Sequence, residues 1–447
     1  MILEFSITNT YSIKERQTIS FEAAGDSVSD ETHFIDYGGK QFLKLACLYG
    51  ANASGKTKMA EAFDYYVAIM IESFARLQPT EHMHFIPFMF DVETQNEPGE
   101  FEVIFYAEDF ENNANVIRYE YKLKVNKTCV LEESLFYSPK GQRKLIFDRK
   151  KGLPVKWGTD VTGAKKIIES MTRDNCSLVS AGAQARHPIF FFIYNHFKNR
   201  YIGLLNFSKH SYSTYIAQRM EEDSDFKNKV ISLLSFSDFG NISEIKIKKE
   251  EMPDTILARY PLEVQREIAM RGERPVNRKI SFVHHYESDC ELPFFLESAG
   301  TQRIMDLAVP LIEITQKPNV CFIDELESSL HQELLEMFVQ LFLECSSDSQ
   351  MLFTTHNQEL LDSGLLRDDE IWFCNRAADG SSKYSSISDY TGIRKEVSRK
   401  RLYKADKFGA LPNIDINALR RLLCAALDCH QIQLCAGLFL SIETFLP

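Results

Sequence analysis

Hydrophobic and polar positions change rhythm several times along the chain, and each change marks a different kind of element. Met1-Ile2-Leu3-Glu4-Phe5 alternates with the two-residue period of a strand. Residues 42–49 form a short apolar run that reads as a buried strand. Lys58-Met59-Ala60-Glu61-Ala62-Phe63 follows with good helix formers and no Pro or Gly. Alternation dominates from 85 to 158, as in Phe101-Glu102-Val103-Ile104-Phe105-Tyr106 and Tyr119-Glu120-Tyr121-Lys122-Leu123-Lys124-Val125, and predicts antiparallel strands. The stretch 162–235 turns helical, with segments expected at 164–171 and 189–197. Strands return at Ile245-Lys246-Ile247 and Ile280-Ser281-Phe282-Val283, and a helix–strand–helix–strand series runs from Thr301 to residues 350–355. No internal repeat, low-complexity tract or sustained heptad is present, so a long coiled coil is not expected.

This order predicts an α/β fold in which a mixed sheet around a core is joined by an antiparallel β lobe and interrupted by a helical insertion. Residues 1–158 are expected to form the first half of the core with the lobe, and 159–240 the helical insertion. Residues 241–414 are expected to complete the core, and 415–447 to form a helical tail.

The turn between the run 42–49 and its helix carries candidate chemistry. Gly50-Ala51-Asn52-Ala53-Ser54-Gly55-Lys56-Thr57 is a complete GxxxxGK[ST] loop, set between strand and helix as that motif requires. Its glycines let backbone N–H groups turn inward around a polyphosphate, and the helix N-terminus adds partial positive charge. Asn52, Ala53, Ser54 and Gly55 are expected to cradle the phosphates. Lys56 would reach the β- and γ-phosphates, and the Thr57 hydroxyl would ligate Mg²⁺. ATP with Mg²⁺ is the expected ligand pair.

Three later segments complete a nucleotide site. Asn319-Val320-Cys321-Phe322-Ile323-Asp324-Glu325 is an apolar strand ending in two acids. Asp324 is placed to hold Mg²⁺, and Glu325 to orient and deprotonate an attacking water. Met351-Leu352-Phe353-Thr354-Thr355-His356-Asn357 is another buried strand, and its His356 is either structural or a switch contacting the γ-phosphate. Glu297-Ser298-Ala299-Gly300-Thr301-Gln302-Arg303 opens a helical run over 304–314. Its serine and free N–H groups make an anion site. One chain has no use for a second phosphate cradle, whereas a second copy does. Ser298 and Gly300 are therefore read as contacts to a partner's nucleotide, with an ordinary Ser-capped helix as the alternative.

Composition narrows this picture a little. The chain of 447 residues is 44% hydrophobic and 26% charged, enough for a substantial core. The N-terminus lacks a signal-peptide layout and the longest apolar stretches are too short to span a bilayer, so a cytoplasmic protein without membrane association is expected. A net charge of −12 argues against a surface that binds nucleic acid all over. Two basic clusters remain as candidate anchors or plain solvated faces: Lys140, Arg143, Lys144, Arg149, Lys150 and Lys151, and Arg394, Lys395, Arg399, Lys400, Arg401 and Lys404. Ten cysteines include no CxxC pair. Cys424, Cys429, His430 and Cys435 cluster, with buried thiols favoured over a metal site.

The four nucleotide-site elements, in this order, resemble the ABC-type ATPase heads of SMC, RecF and OLD proteins. Over residues 297–414 the likeness is to the AAA/ABC-type ATPases of bacterial abortive-infection and anti-phage systems, such as PARIS-, Septu- or AbiL-like ones. It is carried by Glu-Ser-Ala-Gly-Thr-Gln-Arg, Ile-Asp-Glu-Leu-Glu-Ser-Ser-Leu-His, Thr-Thr-His-Asn and Lys-Phe-Gly-Ala-Leu-Pro-Asn-Ile. Ile7-Thr8-Asn9-Thr10-Tyr11-Ser12 is similar to that family's opening strand, whose turn lies near the nucleotide base. The resemblance implies an ATPase whose heads sandwich ATP in a homodimer or higher homo-oligomer, with Ser328 and Ser329 near the seam. It also implies a separate effector, commonly a nuclease from a neighbouring gene, and a phage-derived trigger. Ala299, where Gly, Asp or Glu is frequent, and the segment 402–409, less regular than the family's usual Gly-Arg-Tyr/Phe-Gly version, depart from the pattern, and the tail 438–447 matches no part of it. The competing function is a RecF/SMC-like ATPase of DNA repair or chromosome maintenance that binds nucleic acid. A transporter-type subunit is disfavoured by the long middle. Residues 160–290 and those after 414 are expected to be dispensable for the nucleotide pocket and available for docking.

Overall fold

The computed structural model describes residues 1–24, 31–110, 115–206, 212–237, 241–259, 265, 266, 268, 270, 275–393, 397–412 and 414–424. Contacts divide the chain into two units, Met1–Ala410 and Leu411–Pro447.

In the first unit a six-stranded sheet forms the core. Its order is Tyr201–Leu205, Val320–Ile323, Gln350–Thr354, Leu45–Gly50, Ile371–Arg376 and Ser382–Ser386. All neighbours run parallel except the last pair. The three central strands are buried at every position, as continuous apolar runs in parallel sheets require. A seven-stranded antiparallel sheet lies beside it, ordered Lys156–Trp157, Lys144–Lys150, Val130–Ser138, Val116–Val125, Gly99–Glu108, Ile2–Thr8 and Gln17–Ser20. The alternating runs around Val103 and Tyr121 pair with each other, Phe101 opposite Leu123 and Phe105 opposite Tyr119.

The helix Lys56–Arg76 is packed between these sheets. Phe63 touches Phe322 of the core (ring centroids 4.8 Å apart) and Phe5 of the lobe (4.7 Å). One hydrophobic cluster therefore spans both layers. A second cluster joins the helices Ser213–Glu222 and Ser224–Phe236, the three-stranded sheet Ile242–Glu251, Val276–His285 and Asp289–Pro293, and the helix Ala299–Gln316.

Two expectations change. The run 42–49 is two strands, Lys40–Leu43 and Leu45–Gly50, broken at Lys44. The buried Lys44 ammonium turns aside to donate to the carbonyls of Leu343 (2.8 Å) and Ser346 (2.5 Å) at the end of the helix Gln332–Cys345, where free carbonyls favour a cation. The stretch 159–240 is not one insertion. The helices Lys165–Met171, Leu178–Gln184 and Pro188–Arg200 contribute to the lobe-side cluster, Tyr201–Leu205 joins the core sheet, and only the helices from 213 onward belong to the second cluster.

The first basic cluster is matched by acids: Arg149 pairs with Glu133, Arg143 with Glu120, Lys144 with Asp160 and Lys150 with Glu132. In the second, Arg399 pairs with Asp368 and Lys400 with Glu359. Arg394 and Lys395 lie outside the described residues, as do Cys429, His430, Cys435 and the tail 438–447; for Cys424 only the backbone is described. In the second unit the helix Ile416–Cys424 is described. Among the described residues no helix is long and apolar enough to cross a membrane.

Candidate nucleotide site

The loop 50–57 follows the fully buried strand Leu45–Gly50 and hands over to the helix beginning at Lys56. Gly55 adopts φ +108°, and a Cβ there would come within 2.0 Å of Ser382 Oγ and 2.6 Å of Ser12 Oγ, so only glycine lets the loop lie this close. Ser382 also donates to the Ser54 carbonyl (2.5 Å), and the Tyr384 hydroxyl to that of Gly55 (2.8 Å). The loop is thus braced from outside by the turn after Thr10 and by the last core strand. Asn52 and Ala53 are exposed, Ser54 is buried, and Ala53 holds φ +62°, uncommon for a residue with a side chain.

Lys56 is 6% exposed and donates to the carbonyls of Gly50 (2.8 Å) and Ala51 (3.2 Å), with His356 Nε2 3.1 Å away. A protonated lysine has only donors, so His356 Nε2 accepts and its ring proton belongs on Nδ1. Burial lowers the Lys56 pKa, opposed by nearby Asp324, Glu327 and Glu325. Burial and then the Lys56 charge lower that of His356. His356 is placed by its backbone N–H, which donates to Glu327 Oε1 (2.6 Å).

Asp324 is the hub. Its carboxylate accepts from Thr57 Oγ1 (3.0 and 3.1 Å), Thr354 Oγ1 (2.7 Å) and Asn206 Nδ2 (2.9 Å). Glu325 follows in a left-handed conformation, φ +50°, with its N–H on Thr354 Oγ1 (2.8 Å) and its carbonyl accepting from Arg303 (2.6 Å). Strain of this kind persists only where several contacts hold it.

The structure brings together Lys56, Thr57, Asp324, Glu325 and His356. Ser298 and Gly300 are placed apart from that network. Ser298 is exposed at the start of the helix Ala299–Gln316, and its hydroxyl accepts from Thr301 N (3.0 Å) and pairs with Thr301 Oγ1 (2.7 Å). Gly300 lies in the first turn. Ser328 is half-buried, and Ser329 is exposed with φ +63°.

Sequence reasoning missed four groups: Asn206, Thr354, Glu327 and the Ser12–Ser382 brace. Thr354 and Glu327 stand inside or beside the two motif strands, where their closeness to His356 and Asp324 was a usable signal. Asn206 had none, because it lies 118 positions from its partner. It also overturns the expectation that 160–290 is dispensable for the pocket.

Thr57 and Asp324 offer hard oxygen donors at hydrogen-bond distance, which suits Mg²⁺, a cation that takes few protein ligands and keeps water and phosphate oxygens. Among the described residues no group of three His, Cys, Asp or Glu is arranged to hold a metal by itself. Ser54 Oγ and Glu327 Oε2, both shut from solvent, accept or donate no hydrogen bond here.

A family model described as "AAA domain, putative AbiEii toxin, Type IV TA system" matches residues 45–362, more than two thirds of the chain. The chain belongs to this AAA-domain family. The match takes in the phosphate loop, Asp324, Glu325 and His356 in one continuous segment.

Solved structures similar to this AAA-domain chain include the SMC head domain from Thermotoga maritima, at 14% identity and TM-score 0.38, covering 86% of this chain and 98% of that one. An SMC head bound to the C-winged helix domain of ScpA gives 13% and 0.40, covering 86% and 97%. An SMC head with an extended coiled coil, bound to the C-terminal domain of ScpA derived from Pyrococcus furiosus, gives 12% and 0.38, covering 91% and 99%. None of the curated proteins compared with the chain matches it.

Proposed function

We propose that this chain is a Mg²⁺-dependent ATPase that dimerises on ATP and acts as sensor and scaffold for a separate effector, a nuclease by family resemblance, in anti-phage defence. The observation that carries the ATPase reading is the convergence of Lys56, Thr57, Asp324 and His356 from segments as much as 300 positions apart. Thr57 and Asp324 would hold Mg²⁺, which would supply positive charge against the charge building on the transferred phosphoryl group. Lys56 exchanges the carbonyls of Gly50 and Ala51 for phosphate oxygens, and so leaves His356 Nε2. The freed His356 is then able to face the γ-phosphate. Glu325, pinned at both backbone ends, orients the attacking water and takes its proton.

The dimer reading is supported by Ser298, exposed and uncommitted to the chain's own phosphate loop, at the N-terminus of an 18-residue helix whose first N–H groups suit a phosphate. ATP is then the layer between two heads, and a phage component that favours the open state would release the effector. The defence reading is supported by the family description and by the motifs at 297–414.

The test is to express the chain alone and with its adjacent gene, then to measure mass with and without ATP, nuclease activity and phage restriction. ATP-dependent doubling in mass, and restriction that needs both genes and Lys56, are the expected results. Robust nucleic-acid cleavage by the purified chain alone, undiminished in Lys56→Ala, would overturn the effector reading.

A further inference from the structure

The nucleotide site holds one acid that the proposed reaction leaves unused. Glu327 follows shortly after Asp324, and its half-buried carboxylate lies against His356. Oε1 accepts the His356 backbone N–H at 2.6 Å, while Oε2 is shut from solvent and accepts nothing. An oxygen so placed calls for a donor.

The missing donor is on the same histidine. Lys56 donates to His356 Nε2 at 3.1 Å, so the ring's own proton sits on Nδ1. Among the described residues that Nδ1–H meets no acceptor. An unmet acceptor and an unmet donor thus belong to two residues already joined by a hydrogen bond. With Oε1 fixed on the backbone N–H, only turns of the two side chains separate Oε2 from Nδ1. Other donors nearby are engaged. The Asn357 side chain donates to Gln332 Oε1 (2.5 Å) and its backbone N–H to Thr355 Oγ1 (3.0 Å), and the Arg303 guanidinium holds the carbonyls of Glu325 and Leu326. Lys56 is what restrains the ring, which cannot turn without giving up the ammonium on Nε2. Triphosphate lifts that restraint, because its oxygens take over the ammonium.

We infer that Glu327 is a positioning residue for His356: once Lys56 moves to the triphosphate, Oε2 accepts the His356 Nδ1–H and holds the ring with Nε2 towards the γ-phosphate. The inference rests on the ATPase reading above and adds a residue to it. The partner on one nitrogen of an imidazole decides where its proton sits and how the other nitrogen is used. A carboxylate on Nδ1–H orients the ring and makes Nε2 more basic, so that Nε2 meets the anionic phosphate as a protonated donor. Burial and then the Lys56 charge hold the His356 pKa down, and Glu327 leads the groups that raise it, ahead of Glu325 and Asp324. With the Lys56 charge spent on phosphate, the pull of Glu327 meets less opposition.

The test is a double-mutant cycle on the full chain, read by phosphate release at saturating ATP and Mg²⁺ and by binding of a fluorescent ATP analogue. Glu327→Gln keeps an oxygen for the His356 backbone N–H but turns an amide, a donor, towards Nδ1–H. It should bind the analogue like wild type while turnover falls about 10–100-fold. His356→Ala should lose at least as much. Adding Glu327→Gln to it should cost no more than about twofold further, since the two residues act as one unit. Normal turnover in folded Glu327→Gln overturns the inference. So does a full further loss on top of His356→Ala, which would mean that Glu327 acts elsewhere. Should Glu327→Gln fail to fold, the ring-nitrogen NMR signals of wild type with a non-hydrolysable ATP analogue decide, with those of His356 assigned by their loss in His356→Ala. A protonated Nδ1 is expected, and a bare Nδ1 overturns the inference. Wild type that releases no phosphate brings down the ATPase reading and this inference with it. Turnover that Lys56→Ala abolishes and Glu327→Gln spares brings down only the role of Glu327.

Discussion

Replacing Thr354 by valine isolates the least obvious member of the nucleotide site. Valine fills nearly the same space at a position 1% exposed, so packing is preserved and only the hydroxyl is lost. That hydroxyl donates to Asp324 Oδ1 at 2.7 Å and accepts from the Glu325 N–H at 2.8 Å. A hydrogen bond to an ionised group contributes about 1.5–3 kcal/mol, and a donor left unpaired in a buried place costs about 1–3 kcal/mol. The simple sum overstates the loss, because Thr57 and Asn206 still donate to Asp324 and Glu325 is only half-buried. A destabilisation of roughly 2–4 kcal/mol is expected. Function should suffer separately. Glu325 is held at φ +50° by this bond and by Arg303, a conformation that costs about 1–3 kcal/mol and relaxes when a tie is cut. With the metal carboxylate also loosened, ATP turnover should fall about 10–100-fold. Urea unfolding reads the first effect and phosphate release at saturating ATP and Mg²⁺ the second. Thr354→Ser, which keeps the hydroxyl, should restore most of the turnover. A folded Thr354→Val enzyme with wild-type turnover would refute this assignment of Thr354.

Lys56→Ala should abolish ATP binding measured by a fluorescent analogue, and normal affinity in the folded variant would remove the phosphate-loop assignment. Glu325→Gln should bind ATP normally while turnover falls about 10²–10⁴-fold; unchanged hydrolysis would move the base elsewhere. Ser298→Arg should bind nucleotide but not hydrolyse it, and mixing it with Lys56→Ala should restore at most one of two composite sites. Normal hydrolysis by monomeric Ser298→Arg sinks the shared site. Asp306 carries a pH test: its carboxyl sits at about 7 in the fold against an ordinary 3.8, so the folded chain keeps a proton that the unfolded chain has lost. The Asp306 contribution to stability should therefore fall as pH rises from about 4 to about 8, by roughly 2–4 kcal/mol. Asp306→Asn cannot ionise and should melt higher than wild type at about pH 8 but alike at about pH 4. Equal melting at the higher pH contradicts a buried, neutral Asp306.

Much of the core was legible because its signals are local. Continuous apolar runs mark Leu45–Gly50, Val320–Ile323 and Gln350–Thr354, and alternation marks Gly99–Glu108 and Val116–Val125. Lys56, Thr57, Asp324 and His356 stand at ends of those runs, where a parallel sheet presents its chemistry. What escaped was fixed by tertiary partners. Lys44 reads as one polar residue in a buried strand, and only the carbonyls of Leu343 and Ser346 explain its break in pairing. The basic run from Lys140 to Lys151 reads as a charged patch until the facing strand supplies Glu132 and Glu133 across the ladder. Tyr201–Leu205 was hidden among helices because it is only five residues long and apolar but for Gly203, with no polar alternation to mark a period.

That hidden strand changes how closure between two heads would reach the chemistry. Its last carbonyl, Leu205 O, accepts from Asp324 N at 3.0 Å, and the next residue, Asn206, grips the Asp324 carboxylate. Asp324 is thus tied to this strand by both backbone and side chain. The helix capped by Ser298 runs from the other direction through Lys317 and Asn319 into Val320, the first residue of Asp324's own strand. It is also linked inward by Arg303, whose guanidinium holds the carbonyls of Glu325 and Leu326. In the proposed dimer, a partner phosphate pulling on Ser298 would therefore act on a helix joined within a few residues to Asp324, the proposed metal carboxylate, and to Glu325, the proposed base. In the proposed dimer the trans contact is then more than a lid on ATP: its helix carries a guanidinium that holds Glu325 in place, and a shift of that helix changes base position directly.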